Sequence, residues 1–180
     1  MVSLKIRVKT MWRQLAFVLL VASCNNQRAR TQPALVADMD NQPAAILLGP
    51  IERSALGDDP YRTWFDEQYG GYQLDTLTLA PLAESLVDVD IKIFLGTWCQ
   101  DSRREVPRVY KILDYLGYPT ERVTMIALDR DKHGPVHEEQ GFDIKLVPTT
   151  IFYRGGVEIG RIIESPSDTN EQDMAKILLN

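Results

Sequence analysis

Residues 91–102 read Ile-Lys-Ile-Phe-Leu-Gly-Thr-Trp-Cys-Gln-Asp-Ser, and this stretch constrains the chain more than any other. Its first five residues form a β-rich run that is apolar apart from Lys92, which predicts a short strand. Gly96-Thr97 breaks the run. Ser102-Arg103-Arg104-Glu105 then predicts the first turn of a helix. A strand that runs into a helix start places Cys99 where unpaired backbone N–H groups converge, and that location favours negative charge on sulfur. Downstream, residues 103–116 carry Val106, Val109, Tyr110, Leu113 and Leu116 on one helical face, with Gly117 as the stop. Pro107 removes one bond of that helix and predicts a bend. Residues 123–128 predict another strand. Strand, helix and strand within about 35 residues fit a right-handed βαβ unit with parallel strands, so the class is α/β.

The flanking segments give further elements. Residues 44–48 predict a strand ended by Gly49-Pro50. Asp58-Asp59-Pro60 predicts a helix start, with an acid at N-cap and Pro60 at N1. Tyr61, Trp64, Phe65 and Tyr69 follow at helical spacing and read as core, with Gly70-Gly71 as the stop. Leu77, Leu82 and Leu86 form a helical stripe with Pro81 as a second N1. Residues 129–143 are polar, with a short helix expected after Pro135. Residues 144–147 lead to Pro148. Residues 149–153 and 157–163 predict two strands joined through Arg154-Gly155-Gly156 as a hairpin. Ser167 or Asp168 is the expected cap of a last helix through Met174, Ile177 and Leu178.

The N-terminus reads as a targeting segment. Lys5, Arg7, Lys9 and Arg13 precede a seven-residue apolar run from Leu15, too short to span a bilayer. Val21-Ala22-Ser23-Cys24 resembles a bacterial lipobox. That resemblance implies a signal peptide over 1–23, lipidation of Cys24, and a bacterial envelope protein anchored on the extracytoplasmic side. The alternatives are a plain secretory signal cut near Ala22-Ser23 and an uncleaved anchor. Removing 1–23 takes away four basic and no acidic residues, so the formal charge moves from −5 to −9. Such a chain is unsuited to nucleic acid, and its membrane attachment would come from acyl chains. Residues 24–43 are expected to form the lipidated Cys and a flexible tether, 44–73 an N-terminal extension packed on the domain, and 74–180 the domain itself. With Cys24 lipidated, Cys99 is the one thiol left, and no internal disulfide is possible.

Trp98-Cys99-Gln100-Asp101-Ser102 between a strand and a helix resembles the active-site segment of the thioredoxin-like family. Pro107 stands where that family carries a kinking helix proline. Val147-Pro148-Thr149 resembles its cis-proline loop, and residues 151–160 the hairpin that follows. The resemblance spans residues 74–179. It implies a thioredoxin-like fold, a central mixed β-sheet flanked by helices on both faces. It also implies that Pro148 is cis and lies against Cys99, with the Val147 backbone available to an extended peptide. Trp98 either covers the base of the loop or lines the substrate groove.

Two departures limit the chemistry. The family's second cysteine is Ser102, and its buried acid on the preceding strand corresponds to Ile93, which cannot relay a proton. In a dithiol site the second thiolate attacks the mixed disulfide and frees the substrate. A serine hydroxyl cannot. Ser102 is left to cap the helix or to donate to the Cys99 sulfur. The expectation is therefore monothiol chemistry at Cys99 on envelope thiol or disulfide proteins, resolved by an outside thiol, whether a partner protein or a low-molecular-weight thiol. The alternative is a non-enzymatic module that holds an extended peptide or partner in the same groove. A third reading, a glutaredoxin-like glutathione or iron–sulfur carrier, is the weaker one, since nothing else in the sequence suggests a glutathione clamp. No cofactor is implied. Asp129, Asp131, His133 and His137 suggest a metal, but Pro135 between the histidines disfavours a shared helix face, so a solvated loop is expected.

Overall fold

A computed structural model describes residues 45–180 in full and residues 34–37 as backbone alone. Cys24 and the segment expected to be a signal peptide lie outside the described residues. Among the described residues six strands form one sheet: β1 Ala34–Ala37, β2 Ala45–Ile51, β3 Val89–Leu95, β4 Val123–Ala127, β5 Thr149–Arg154 and β6 Val157–Ile163. Their order is β1-β2-β4-β3-β5-β6. β3 and β4 run parallel, with Ile93 opposite Met125, and the other neighbouring pairs are antiparallel. Five described helices accompany them: α1 Arg62–Gly71, α2 Thr76–Leu79, α3 Leu82–Ser85, α4 Gln100–Tyr115 and α5 Asn170–Leu178. The βαβ unit is β3-α4-β4, and the hairpin is β5-β6. The fold is a thioredoxin-like α/β fold.

The alternation of β3 builds two cores. Ile91, Ile93 and Leu95 face a large cluster with Phe65, Leu79, Leu82, Val109, Tyr110, Leu113, Met174 and Leu178, drawn from all five helices. Each such side chain stabilises the fold by roughly 1.5–3 kcal/mol through burial. Phe94 faces the other way, with Ile126, Leu128, Val147 and Ile151. Phe142 and Ile144 from the β4–β5 connection pack on this second core, and Cys99 and Trp98 border it. Where helices on both faces are expected, the described helices pack over one face, and the β4–β5 connection covers the other.

That connection holds no helix after Pro135. Lys132, His137 and Asp143 take left-handed backbone there, as does Gly141, and such residues break helical progression. Residues 144–147 also form no strand.

Helix α4 begins at Gln100, three residues earlier than expected, which makes Cys99 itself the N-cap. Asp101 in the first turn suits the positive helix end. Gly117, at φ +66°, ends the helix in the left-handed conformation that a glycine adopts without strain. Three other helix starts differ from expectation. Helix α1 starts at Arg62, because the carbonyl of Asp58 accepts from Tyr61 and Arg62 N–H, and Pro60 lies in the turn before it, not at N1. Residues 76–85 form two single-turn helices split at Ala80-Pro81. Leu79, Leu82 and Leu86 are buried there, while Leu77 is 87% exposed. Thr169, not Ser167 or Asp168, caps α5, its hydroxyl accepting from Gln172 N–H at 3.2 Å. Within the stretch expected as a tether, residues 34–37 pair as an edge strand with β2. Of the expected extension, residues 45–73 are woven into the sheet through β2 as well as packed on it, the Phe65 and Tyr110 ring centroids lying 6.2 Å apart.

Candidate active site

The turn from β3 into α4 is fixed by its own backbone and by four side chains. Cys99 N–H donates to the Gly96 carbonyl at 2.9 Å, closing the turn. The Ser102 hydroxyl oxygen accepts from Gly96 N–H at 3.1 Å. The Thr97 hydroxyl oxygen accepts from Leu47 N–H at 3.1 Å, which ties the turn to β2. Arg103 Nε donates to the Thr97 carbonyl at 2.6 Å. Trp98 Nε1 donates to the Leu128 carbonyl at 2.9 Å, which ties the turn to the end of β4. The Trp98 ring folds back over Gly96, where an added Cβ would meet its Cε2 at 2.6 Å. Trp98 thus covers the base of the loop, and the Arg130 guanidinium lies 5.3 Å from its ring centroid.

Cys99 is left half-buried at the head of α4. Its backbone is extended, at φ −83° and ψ 129°, and no side chain caps the helix. Its Sγ donates to the Val147 carbonyl at 3.1 Å. The Val147–Pro148 peptide is cis. The fold therefore brings Trp98, Cys99, Val147 and Pro148 together from two segments some fifty positions apart. Ser102 stands apart from them in role. It is closed to solvent, its hydroxyl oxygen accepts from Gly96, and it does not cap α4, whose N-cap is Cys99. Ile93 is fully buried in the helical core, on the face of β3 opposite Phe94. No proton relay passes through that position.

The other carbonyls of the cis-proline loop are also engaged. Thr149 Oγ1 donates to the Leu146 carbonyl at 2.7 Å, and Glu164 N–H donates to the Pro148 carbonyl at 2.6 Å. Glu164 has φ +62°, a left-handed backbone outside glycine. Such strain persists only where the surroundings hold it. Neither Glu164 nor the Thr97 hydroxyl is legible in the sequence as a site residue, because each acts through one backbone bond with no motif around it.

The charges around the thiol are mostly paired. Arg104 bridges Asp101 at 2.6 Å and Glu105 at 2.5 Å. The bond to Glu105 chiefly holds the Arg104 guanidinium above its usual pKa, burial opposes it, and Asp101 adds to the rise. On the β3 face beneath the second core, Lys92 Nζ sits 4.1 Å from the Phe142 ring centroid, and burial pushes its ammonium pKa down. His133 and His137 meet edge to face at 5.6 Å, and His137 Nδ1 lies 3.2 Å from Glu139. Among the described residues no group of three or more His, Cys, Asp or Glu converges as a metal site.

No family model and no curated protein matches the sequence. Among solved structures the chain is similar to a thioredoxin from Fasciola hepatica, at 18% identity and TM-score 0.36, over 56% of this chain and 86% of that one. It is also similar to thioredoxin O2 from Arabidopsis thaliana in the oxidized state, at 22% identity and TM-score 0.32, over 47% of this chain and 76% of that one. Likeness at this level adds nothing to what sheet order and register already show.

Proposed function

We propose that this protein is a membrane-anchored, monothiol thioredoxin-like protein that exchanges disulfides in the bacterial cell envelope through Cys99. The observation that carries the reading is the half-buried Cys99 sulfur at the head of α4, 3.1 Å from the Val147 carbonyl of the cis-proline loop, with Ser102 shut away behind it. The Cys99 thiolate attacks one sulfur of a substrate disulfide. The substrate S–S bond breaks, a Cys99–substrate disulfide forms, and the other substrate sulfur leaves as a thiolate that takes up a proton. A thiolate from an outside partner or small molecule then attacks the Cys99–substrate disulfide. The Cys99 thiolate is released, and the substrate carries the new disulfide with the incoming thiol. A second outside thiol completes reduction.

The Cys99–Val147 bond exists only while sulfur carries its proton. In the mixed disulfide the Val147 carbonyl is free to accept an N–H from an extended substrate segment. Acylation at Cys24 supplies the anchor.

The test is trapping of mixed disulfides on Cys99 in envelope fractions, with Cys99→Ser as the control. Thiol-sensitive adducts present in the parent and absent in Cys99→Ser are the expected result. If instead Cys99→Ser retains the same bound partners as the parent without any covalent adduct, a peptide-holding module replaces this reading.

A further inference from the structure

A closed ring of contacts runs around the Cys99 sulfur, and one member lies outside the groove. Cys99 Sγ reaches the Val147 carbonyl, and the next residue, Pro148, accepts from Glu164 N–H at 2.6 Å. Glu164 is followed by Ser165, whose hydroxyl oxygen accepts from Arg104 Nη2 at 2.7 Å. Arg104 stands on the second turn of α4, the helix whose N-cap position Cys99 occupies, and is braced by Asp101 and Glu105. Glu105 is in turn buried and accepts from Asn170 Nδ2 at 2.8 Å at the start of α5. The turn between β6 and α5 is thus fastened at its start, through Glu164 to the cis-proline loop and through the neighbouring Ser165 to the helix that carries the thiol.

We infer that Arg104 is a positioning residue, which sets the separation of Cys99 from the cis-proline loop by holding the Glu164–Ser165 turn against α4. This rests on the proposed exchange at Cys99 for its consequence, though not for its geometry. Nε on Glu105 and Nη2 on Asp101 fix the guanidinium, and Nη2 also donates to the Ser165 hydroxyl oxygen. Glu164 transmits that hold to Pro148 through a backbone bond that side-chain substitution at 164 leaves in place. Without the Arg104 bridge, the Glu164–Ser165 turn and the proline loop are held only by the adjoining ladder pairs of Thr149 with Ile163 and Phe94, and a displacement near a reacting atom costs rate steeply.

Two variants are compared in the full chain carrying Cys24→Ser, so that Cys99 is the only thiol: Arg104→Gln and Ser165→Ala. The second removes one exposed hydroxyl and keeps the fold if the first does not. The S–H stretching band in the infrared reports the Cys99–Val147 bond directly, and exchange rates are measured with a peptide disulfide and with 2-hydroxyethyl disulfide. In both variants the band is expected to move toward that of a free thiol. The rate with the peptide disulfide is expected to fall on the order of tenfold while that with the small disulfide barely changes. An unchanged band and an unchanged ratio of the two rates in Ser165→Ala overturn the inference. A parent that exchanges neither disulfide, with a band that still shifts in the variants, sinks the exchange function and leaves the positioning role standing.

Discussion

The Ser102 hydroxyl oxygen accepts a hydrogen bond from Gly96 N–H at 3.1 Å, and both residues are closed to solvent. Position 102 lies three residues into α4 and turns back under the loop that presents Cys99. Its oxygen satisfies a backbone donor that has no strand partner, because β3 ends at Leu95. The side chain that would attack a mixed disulfide in a dithiol site is here part of the loop's framework.

The indole of Trp98 and the hydrogen of Gly96 occupy adjoining space. A Cβ at position 96 would lie 2.6 Å from Trp98 Cε2, and the ring is held by the Leu128 carbonyl. Gly96→Ala therefore has to displace a rigid indole. A loss of about 1–3 kcal/mol of stability is expected from such overpacking. Urea titration checks the loss, and Trp98 exposure should rise with it, seen as a red-shifted emission. An unshifted emission with parental stability would mean that the turn relaxes without moving the ring.

A pH-dependent support lies away from the thiol. Asp114 on α4 receives two hydrogen bonds from Arg53 and one from Tyr69, each at 2.7 Å. The Arg53 guanidinium also lies 4.7 Å from the Tyr110 ring centroid. Burial alone would push the Asp114 carboxyl up, but the bonds from Arg53 and Tyr69 and the Arg53 charge hold it below the usual carboxylate range. Because the folded-state pKa is the lower one, the stabilisation is full above the unfolded value of about 3.8 and is lost as pH falls through the folded value. Asp114→Asn is expected to cost roughly 1–3 kcal/mol at neutral pH, as a charged hydrogen bond is lost. It should also flatten stability against pH below about 4. Chemical denaturation at pH 7 and pH 3 checks both, and equal losses at the two pH values would refute the linkage.

How far the fold can be read from sequence follows from how local each signal is. Strand β3, helix α4 and the β5–β6 turn carry their own signals: a β-rich run, a spaced apolar face, and two glycines that take positive φ at the hairpin. The start of α4 is not legible, since Gln100 and Asp101 carry no cap signal and the N-cap is a cysteine. Leu77 reads as core by spacing, yet Pro81 splits that segment and turns Leu79 inward instead. In the site, Cys99 and Pro148 are legible because each sits in a motif. The bonds that join Ser102 to Gly96, Leu47 to Thr97 and Glu164 to Pro148 are not. Each joins a backbone group to a residue of ordinary type, and only the folded turn brings the two within reach.

The basic, apolar and small-residue order ending at Cys24 leads to a separate expectation for attachment. In cells expressing Cys24→Ala, most of the protein should leave the membrane fraction, since a chain of formal charge −9 after cleavage has no electrostatic hold on anionic lipid. Fractionation with a salt wash reads this out. Retention of Cys24→Ala as firm as that of the parent would exclude the acyl anchor.

The last prediction tests Ser102 in two directions. Ser102→Ala removes the acceptor for Gly96 N–H and leaves that donor buried without a partner, so stability should fall by about 1–3 kcal/mol. It should leave disulfide exchange at Cys99 near the parental rate, because the hydroxyl takes no part in the chemistry. Ser102→Cys places a thiol three residues along α4 from Cys99, one helical turn away, where the two sulfurs can bond with little backbone movement. Sulfur is a weak acceptor, so some stability is lost here too. In exchange terms the introduced thiolate attacks the mixed disulfide and breaks the Cys99–substrate bond. An internal disulfide forms between Cys99 and the introduced sulfur, and the substrate leaves as a thiol. A dithiol reductant then resets the pair. Insulin reduction should therefore be slow in the parent and in Ser102→Ala, well above both in Ser102→Cys, and absent in Cys99→Ser. Ile93 should still limit the double-cysteine form, since no buried acid helps move the proton. A parent already as fast as Ser102→Cys would sink the monothiol account. Should neither form turn over while Cys99 alkylates no faster than an ordinary thiol, the groove serves to hold a partner, not to exchange disulfides.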